Sequence, residues 1–210
     1  VKNFTAKGFL WYQGESNISN YPFYAPMMTA MVQLWRNVWE APDMPFYYVQ
    51  IAPYKYENSS NTGAALLREA QMEALKTIPN SGMVPTTDIG DEFCIHPPQK
   101  DVVGLRLATL ALTKTYGIRR LPSNGPTMTK VDYADKKAIV TFDNAPAGLF
   151  PTFSELEGFE IAGADKKFYP AKAKIVGRTN TVEVWSEEVT QPVAAVSYTH
   201  LRAHETLRHL

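Results

Sequence analysis

Hydrophobic and polar positions fall into alternating blocks over the first 118 residues. Gly8-Phe9-Leu10-Trp11-Tyr12 is a short apolar run that stops at Gln13-Gly14, as a buried strand ending in a loop does. From Tyr24 to Trp39, Met27, Met28, Met31, Leu34, Trp35 and Val38 recur near the 3.6-residue period of an amphipathic helix, with the methionines expected in the core. Pro45 to Ile51 predicts a second buried strand. Thr62 to Leu75 predicts a helix with Leu66, Leu67, Ala70 and Leu75 inward and Arg68, Glu69 and Glu73 outward. Ser81 to Thr87 predicts a third strand. Val102 to Tyr116 predicts a third helix, with Gly117 placed to end it. Strands separated by helices imply parallel βαβ units. Only three such strands are visible, whereas a flavodoxin-like sheet has five, so the sheet reads as incomplete on its N-terminal side.

The grammar changes near Leu121. Leu121-Pro122-Ser123-Asn124-Gly125-Pro126 has linker composition. Short strand-like runs follow at Thr129–Tyr133, Ala138–Phe142, Gly158–Ile161, Ala171–Val176, Thr181–Trp185 and Val193–Val196. Turn signals stand at Asp135-Lys136-Lys137 and Gly177-Arg178-Thr179-Asn180. The expected organisation is an α/β domain over 1–120, a small antiparallel β domain over 121–196, and a tail over 197–210. The tail carries little apolar pattern. Its wording, Ser-Tyr-Thr-His-Leu-Arg-Ala-His-Glu-Thr, resembles a translated sequencing adaptor, and it reads as non-native. His200 and His204 stand four apart, a zinc-ligand spacing on a helix, but nothing around them supports a folded site.

Composition narrows the function classes. Lys plus Arg and Asp plus Glu number 21 each, so the net charge is zero, and no basic block offers a phosphate-binding stripe. One cysteine excludes an internal disulfide framework and a cysteine-based zinc cluster. No run approaches the roughly 20 apolar residues that span a bilayer. The chain opens on Val1 without a charged-then-apolar leader, which reads as a fragment or a processed piece.

Outside the tail, His96 is the single histidine. It lies in Thr87-Asp88-Ile89-Gly90-Asp91-Glu92-Phe93-Cys94-Ile95-His96-Pro97, directly after the third strand. Sites in open α/β sheets form at the carboxyl ends of strands. A histidine there with Asp88 and Asp91 nearby fits the base and orienting acid of a hydrolase. Trp11-Tyr12-Gln13-Gly14-Glu15-Ser16-Asn17 follows the first strand. Gly14 lets backbone approach a ligand, its N–H can serve an oxyanion, the Gln13 amide can donate as well, and Glu15 can orient a partner. Ser16 makes a poor nucleophile elbow, because Ile18 stands where the second glycine of Gly-x-Ser-x-Gly belongs. Cys94 beside His96 could form a dyad, although a lone cysteine is more often a small buried hydrophobe. Arg68 is either a helix-surface ion-pair residue or a clamp for a substrate carboxylate.

Taken together, Gln-Gly-Glu-Ser-Asn after a Gly-x-Leu-Trp-Tyr strand, then Asp-Ile-Gly-Asp, Ile-His-Pro and Val-Gly-x-Arg-Leu-Ala, resembles the sialate O-acetylesterase family of SGNH-type carbohydrate esterases. Leu67-Arg68-Glu69-Ala70-Gln71 and Gly158-Phe159-Glu160-Ile161-Ala162-Gly163-Ala164-Asp165 carry the same resemblance, which covers roughly residues 1 to 196. It implies part of a three-layer, flavodoxin-like parallel sheet followed by the small antiparallel β domain. It further implies an O-acetylated sugar as substrate, no cofactor, and a secreted or periplasmic setting. By carry-over His96 is the general base, and Gln13, Gly14 and Glu15 belong to a second active-site block. The family's nucleophile is a serine in Gly-Gln-Ser-Asn, a motif this chain does not contain. The chain is therefore expected to be an inactive, N-terminally shortened piece of an esterase.

SGNH enzymes often carry an aspartate three residues before the histidine; that position is Phe93. Asp88, Asp91 or a backbone carbonyl such as that of Cys94 remain as partners for His96, with Asp88 preferred because it lies at the strand end. The rival readings are a non-catalytic carbohydrate-binding or scaffold module and an esterase of the same fold for acetylated xylan. Neither nucleic acid nor membrane is expected as a partner, and the pattern is silent on oligomeric state.

Overall fold

The computed structural model describes residues 4–56, 63–119, 121, 123–150 and 156–197. The chain divides into two compact units, one ending at Ser123 and one starting at Asn124. His200 and His204, and with them nearly all of the expected tail, lie outside the described residues.

The first unit is built on a parallel sheet in the order β1-β2-β3, with β1 at Phe9–Tyr12, β2 at Phe46–Val49 and β3 at Ser81–Val84. Three α-helices accompany it: α1 at Tyr21–Val38, α2 at Gly63–Thr77 and α3 at Lys100–Lys114. All four residues of β2 are buried, which makes it the central strand, apolar on both faces as parallel strands are. Phe46 and Tyr48 point to one face and pack with Tyr24, Met28 and Val32 of α1 and Leu67 and Ala74 of α2. Tyr47 and Val49 point to the other and pack with Val103, Leu107 and Leu110 of α3. The result is three layers, helix on sheet on helix.

Each sequence-predicted element of this unit is present, with ends shifted by a few residues. Gly117 does end α3: its φ is +69°, and the Ile118 N–H returns to the Leu112 carbonyl at 2.9 Å. Two helix faces differ from expectation. In α1, Met28 is buried but Met27, Leu34 and Val38 are exposed, because the sheet occupies only the face that carries Tyr24, Met28 and Val32. In α2, Leu75 is exposed while Arg68 and Gln71 are buried. The inward stripe runs through Ala64, Leu67, Arg68, Gln71 and Ala74, so polar side chains occupy core positions.

Among the described residues β1 has a neighbouring strand on one side only, and Leu10 on its second face is 61% exposed. The second unit is a six-stranded antiparallel sheet in the order β4-β5-β8-β7-β6-β9, formed by Thr127–Ala134, Lys137–Asp143, Thr181–Trp185, Phe168–Ile175, Leu156–Ala162 and Ala194–Ser197. Val140, Ile161, Ala173, Val182 and Val184 form its core. Asp135 and Lys136 both have positive φ, at 50° and 64°, which is what a type I′ turn between β4 and β5 needs. Among the described residues no helix is long and apolar enough to cross a membrane.

Candidate active site

Both sequence motifs emerge at carboxyl ends of the parallel strands. Gln13 and Gly14 follow β1, and Glu15 opens a 3-10 turn over Glu15–Asn20. Gly14 is set by close packing: a Cβ there would meet Ile51 Cγ2 at 2.6 Å. Gly14 is buried, and its N–H makes no hydrogen bond among the described residues. The Gln13 side chain is partly committed. Its Nε2 donates to Asn17 Oδ1 at 2.6 Å, and the Tyr24 hydroxyl donates to the Gln13 carbonyl at 2.9 Å. One amide hydrogen of Gln13 remains. A shallow cavity of about 120 Å³ opens here, lined by Trp11, Gln13, Asn17, Tyr24 and the three methionines Met27, Met28 and Met31.

Glu15 makes no ion pair among the described residues. Its charge adds to burial in holding the hydroxyls of Tyr12, Tyr24 and Tyr56 above the ordinary tyrosine range, with burial the larger cause at each. Ser16 is exposed and has no hydrogen bond to His96.

The second motif forms a loop after β3 that folds over the loop following β2. Gly90 sits against Pro53, where a Cβ would meet Pro53 Cδ at 2.5 Å. Thr86 Oγ1 donates to the Gln50 carbonyl at 2.7 Å, and the Lys55 N–H donates to the Glu92 carbonyl at 3.0 Å. His96 lies exposed at the end of this loop, and its imidazole makes no hydrogen bond among the described residues.

Neither candidate acid is bonded to it. Asp88 forms a two-point ion pair with Arg106 of α3, one arm of which is 2.7 Å from Arg106 Nη1. Asp91 Oδ1 accepts the N–H groups of Phe93 and Cys94 at 2.7 and 2.9 Å and so shapes the turn before the histidine. Cys94 is exposed, against the expectation of a buried hydrophobe, and its thiol donates to the His96 carbonyl at 3.2 Å rather than to the ring.

The two loops are tied together. Lys100, at the start of α3, places Nζ 4.6 Å from the centroid of the Tyr12 ring, and the two side chains approach to 3.5 Å. Tyr12 directly precedes Gln13, and Lys100 stands four residues after His96. Gln71 of α2 also braces the site. Its Oε1 accepts the Ile51 N–H at 2.9 Å, and its Nε2 lies 3.4 Å from the carbonyls of Gln13 and Val49. Sequence reasoning did not single out Gln71. Its place four residues after Leu67 and three before Ala74 was the available signal.

Arg68 is not a surface residue. It is 5% exposed, and burial pushes its guanidinium down to about 10. Among the described residues no group of His, Cys, Asp and Glu gathers as metal ligands would.

Residues 1–113 match the family described as carbohydrate esterase, sialic acid-specific acetylesterase. The chain belongs to this family. It is 30% identical over 162 residues to the sialate O-acetylesterase of Rattus norvegicus, a match covering 68% of this chain and 30% of that protein. The sialate O-acetylesterase of Mus musculus is 31% identical over 149 residues, covering 63% and 28%. Among solved structures, a carbohydrate acetylesterase from Xanthomonas citri superposes with a TM-score of 0.85 at 35% identity, covering 93% of this chain and 46% of that one. The chain thus spans about 30% of the length of those curated relatives and under half of that acetylesterase. The last match takes in most of both units.

Proposed function

We propose that this chain carries one part of the active site of an esterase that removes O-acetyl groups from sialic acid or a related sugar. The observation that carries the reading is the pairing of two loops at the carboxyl ends of β1 and β3, joined by Lys100 on Tyr12, one with a backbone N–H and one with an imidazole that have no hydrogen-bond partner among the described residues.

In this reading a serine hydroxyl attacks the acetyl carbonyl while His96 takes its proton. The Gly14 N–H, with the remaining Gln13 amide hydrogen, stabilises the oxyanion. His96 then protonates the departing sugar oxygen. Water, deprotonated by the same imidazole, attacks the acyl-serine, and acetate leaves with the serine regenerated. Asp88 and Asp91 act on His96 by shaping its loop, since their oxygens are engaged by Arg106 and by backbone N–H groups.

The serine is the part this chain does not supply. No described serine is bonded to His96, and Gly-Gln-Ser-Asn is absent from the sequence. The single-sided β1 and the exposed Leu10 are where further structure of an intact protein would pack. The test is acetate release from O-acetylated N-acetylneuraminate by the purified 210-residue chain. Release indistinguishable from buffer is expected. Release that disappears in His96→Ala overturns the proposed inactivity and restores Ser16 as a nucleophile.

A further inference from the structure

Lys100 stands at an unfavourable place for a cation. It opens α3, where the helix dipole presents its positive end, and among the described residues it makes no ion pair. Its ammonium rests instead on the Tyr12 ring, 4.6 Å from the centroid and 3.5 Å from the hydroxyl oxygen. Burial, and then the charge of Glu15, hold the Tyr12 hydroxyl above its ordinary range, so the ring is neutral and the contact is one of cation with π face. The ring is in turn held by the core cluster that contains Tyr47, Val49 and Val103.

His96 lies four residues upstream of Lys100, and the link between them is stiff. Pro97 and Pro98 each fix φ near about −65°, and each restricts the residue before it, so His96 and Pro97 have few conformations open to them. Pro97 is buried, and the Lys100 N–H donates to the Pro98 carbonyl at 2.7 Å, which ties this two-proline strut to the first turn of α3. Before the histidine, Asp91 Oδ1 accepts the N–H groups of Phe93 and Cys94, and the Cys94 thiol donates to the His96 carbonyl. The His96 backbone is thus held from both sides, although its imidazole has no hydrogen bond among the described residues. The contact of Lys100 with Tyr12 joins the far end of the strut to the residue that precedes Gln13.

We propose that Lys100 is a positioning residue for His96. By resting on Tyr12 it sets where the strut stands relative to the end of β1, and so where the histidine stands relative to Gln13 and Gly14. Lys100 needs no contact with substrate for this. The proposal rests on the esterase reading, in which base and oxyanion donors come from these two loops, and adds the side chain that keeps them in register. A base displaced by a fraction of an ångström loses rate rather than affinity, so the effect falls on kcat.

Acetate release from O-acetylated N-acetylneuraminate by an intact protein containing this region tests it, with Lys100→Met, Lys100→Arg and Tyr12→Leu. Lys100→Met keeps the aliphatic stem and removes the charge; kcat is expected to fall about 5- to 50-fold with KM within about twofold. Lys100→Arg also places a cation on the ring and is expected to keep kcat within about threefold. The double variant Lys100→Met, Tyr12→Leu is expected to be no slower than the slower single variant, because both remove one contact. Unchanged kcat in Lys100→Met, a loss carried by KM, full additivity in the double variant, or no rescue by arginine overturns the proposal. Lys100 is exposed, and circular dichroism checks that each variant is folded; where Lys100→Met is not, Lys100→Gln takes its place with the same expected fall. Hydrolysis lost in His96→Ala but unmoved in Lys100→Met defeats this proposal alone, whereas hydrolysis undiminished in His96→Ala defeats the esterase reading itself.

Discussion

The Gln71 side chain on α2 accepts the backbone N–H of Ile51 at 2.9 Å, just beyond the end of β2. Gln71 is 1% exposed, so its amide works where water does not reach. Through it, α2 holds the loops after β1 and β2 in one arrangement. Gln71→Leu keeps the bulk but leaves the Ile51 N–H buried and unpaired, which costs about 1–3 kcal/mol. The expected result in urea unfolding is a lower midpoint at unchanged slope. An unchanged midpoint removes Gln71 from the bracing of the site.

Gly14 and Ile51 are in contact through the space a side chain at 14 would need. Gly14→Ala is expected to destabilise by about 1–3 kcal/mol through overpacking. Ile51→Ala removes the offending Cγ2 at the cost of a cavity, so the double variant is expected to be less destabilised than the sum of the two, with a coupling of about 0.5–3 kcal/mol. Simple additivity counts against the close approach.

The Asp88–Arg106 pair holds the first turn of the loop that ends in His96. It is partly exposed, with side chains 41% and 29% accessible, so the pair alone contributes about 0–1 kcal/mol. Arg106 Nη1 also donates to the Pro85 carbonyl at 2.7 Å. Arg106→Met, which removes both the pair and the Pro85 contact, is therefore expected to lower the thermal midpoint. An unchanged midpoint removes Arg106 from the bracing of the loop.

In the second unit Glu183 on β8 lies between Lys137 on β5 and Lys174 on β7, at 2.8 and 3.5 Å. The Lys137 hydrogen bond, ahead of burial and of the remaining lysine effects, holds its carboxyl below the usual glutamate range. A depressed folded value means that the unfolded chain binds the proton more readily. The contribution is therefore complete above the unfolded value near about 4.3 and is lost as pH falls through the folded one. Glu183→Gln is expected to cost up to about 1 kcal/mol at pH 7 and to make stability less sensitive to pH below about 5. Parallel acid limbs for the two proteins contradict this.

Much of the fold was legible because burial and residue type agreed. Phe46-Tyr47-Tyr48-Val49 is apolar on both faces because helices cover both, and such a run is visible without any contact map. The turns at Asp135-Lys136 and Gly177 were visible because few residues tolerate positive φ. What escaped was polar chemistry inside the core. An inward stripe that includes Arg68 and Gln71 looks like a solvent face when positions are sorted by polarity, yet their spacing from Leu67 and Ala74 places them inside. The outward Met27 and Leu34 are the converse error, apolar side chains on a face the sheet does not reach. The position of His96 after β3 followed from the order of elements. The partners of Asp88 and Asp91 did not, since they depend on how a loop closes on α3 and on its own backbone.

The most direct measurement is acetate release from O-acetylated N-acetylneuraminate by an intact protein containing this region, with and without His96→Ala. kcat/KM is expected to fall by about 10⁴-fold or more while circular dichroism and the unfolding midpoint stay unchanged, since the imidazole makes no hydrogen bond among the described residues. Hydrolysis that persists undiminished in a folded His96→Ala protein contradicts it.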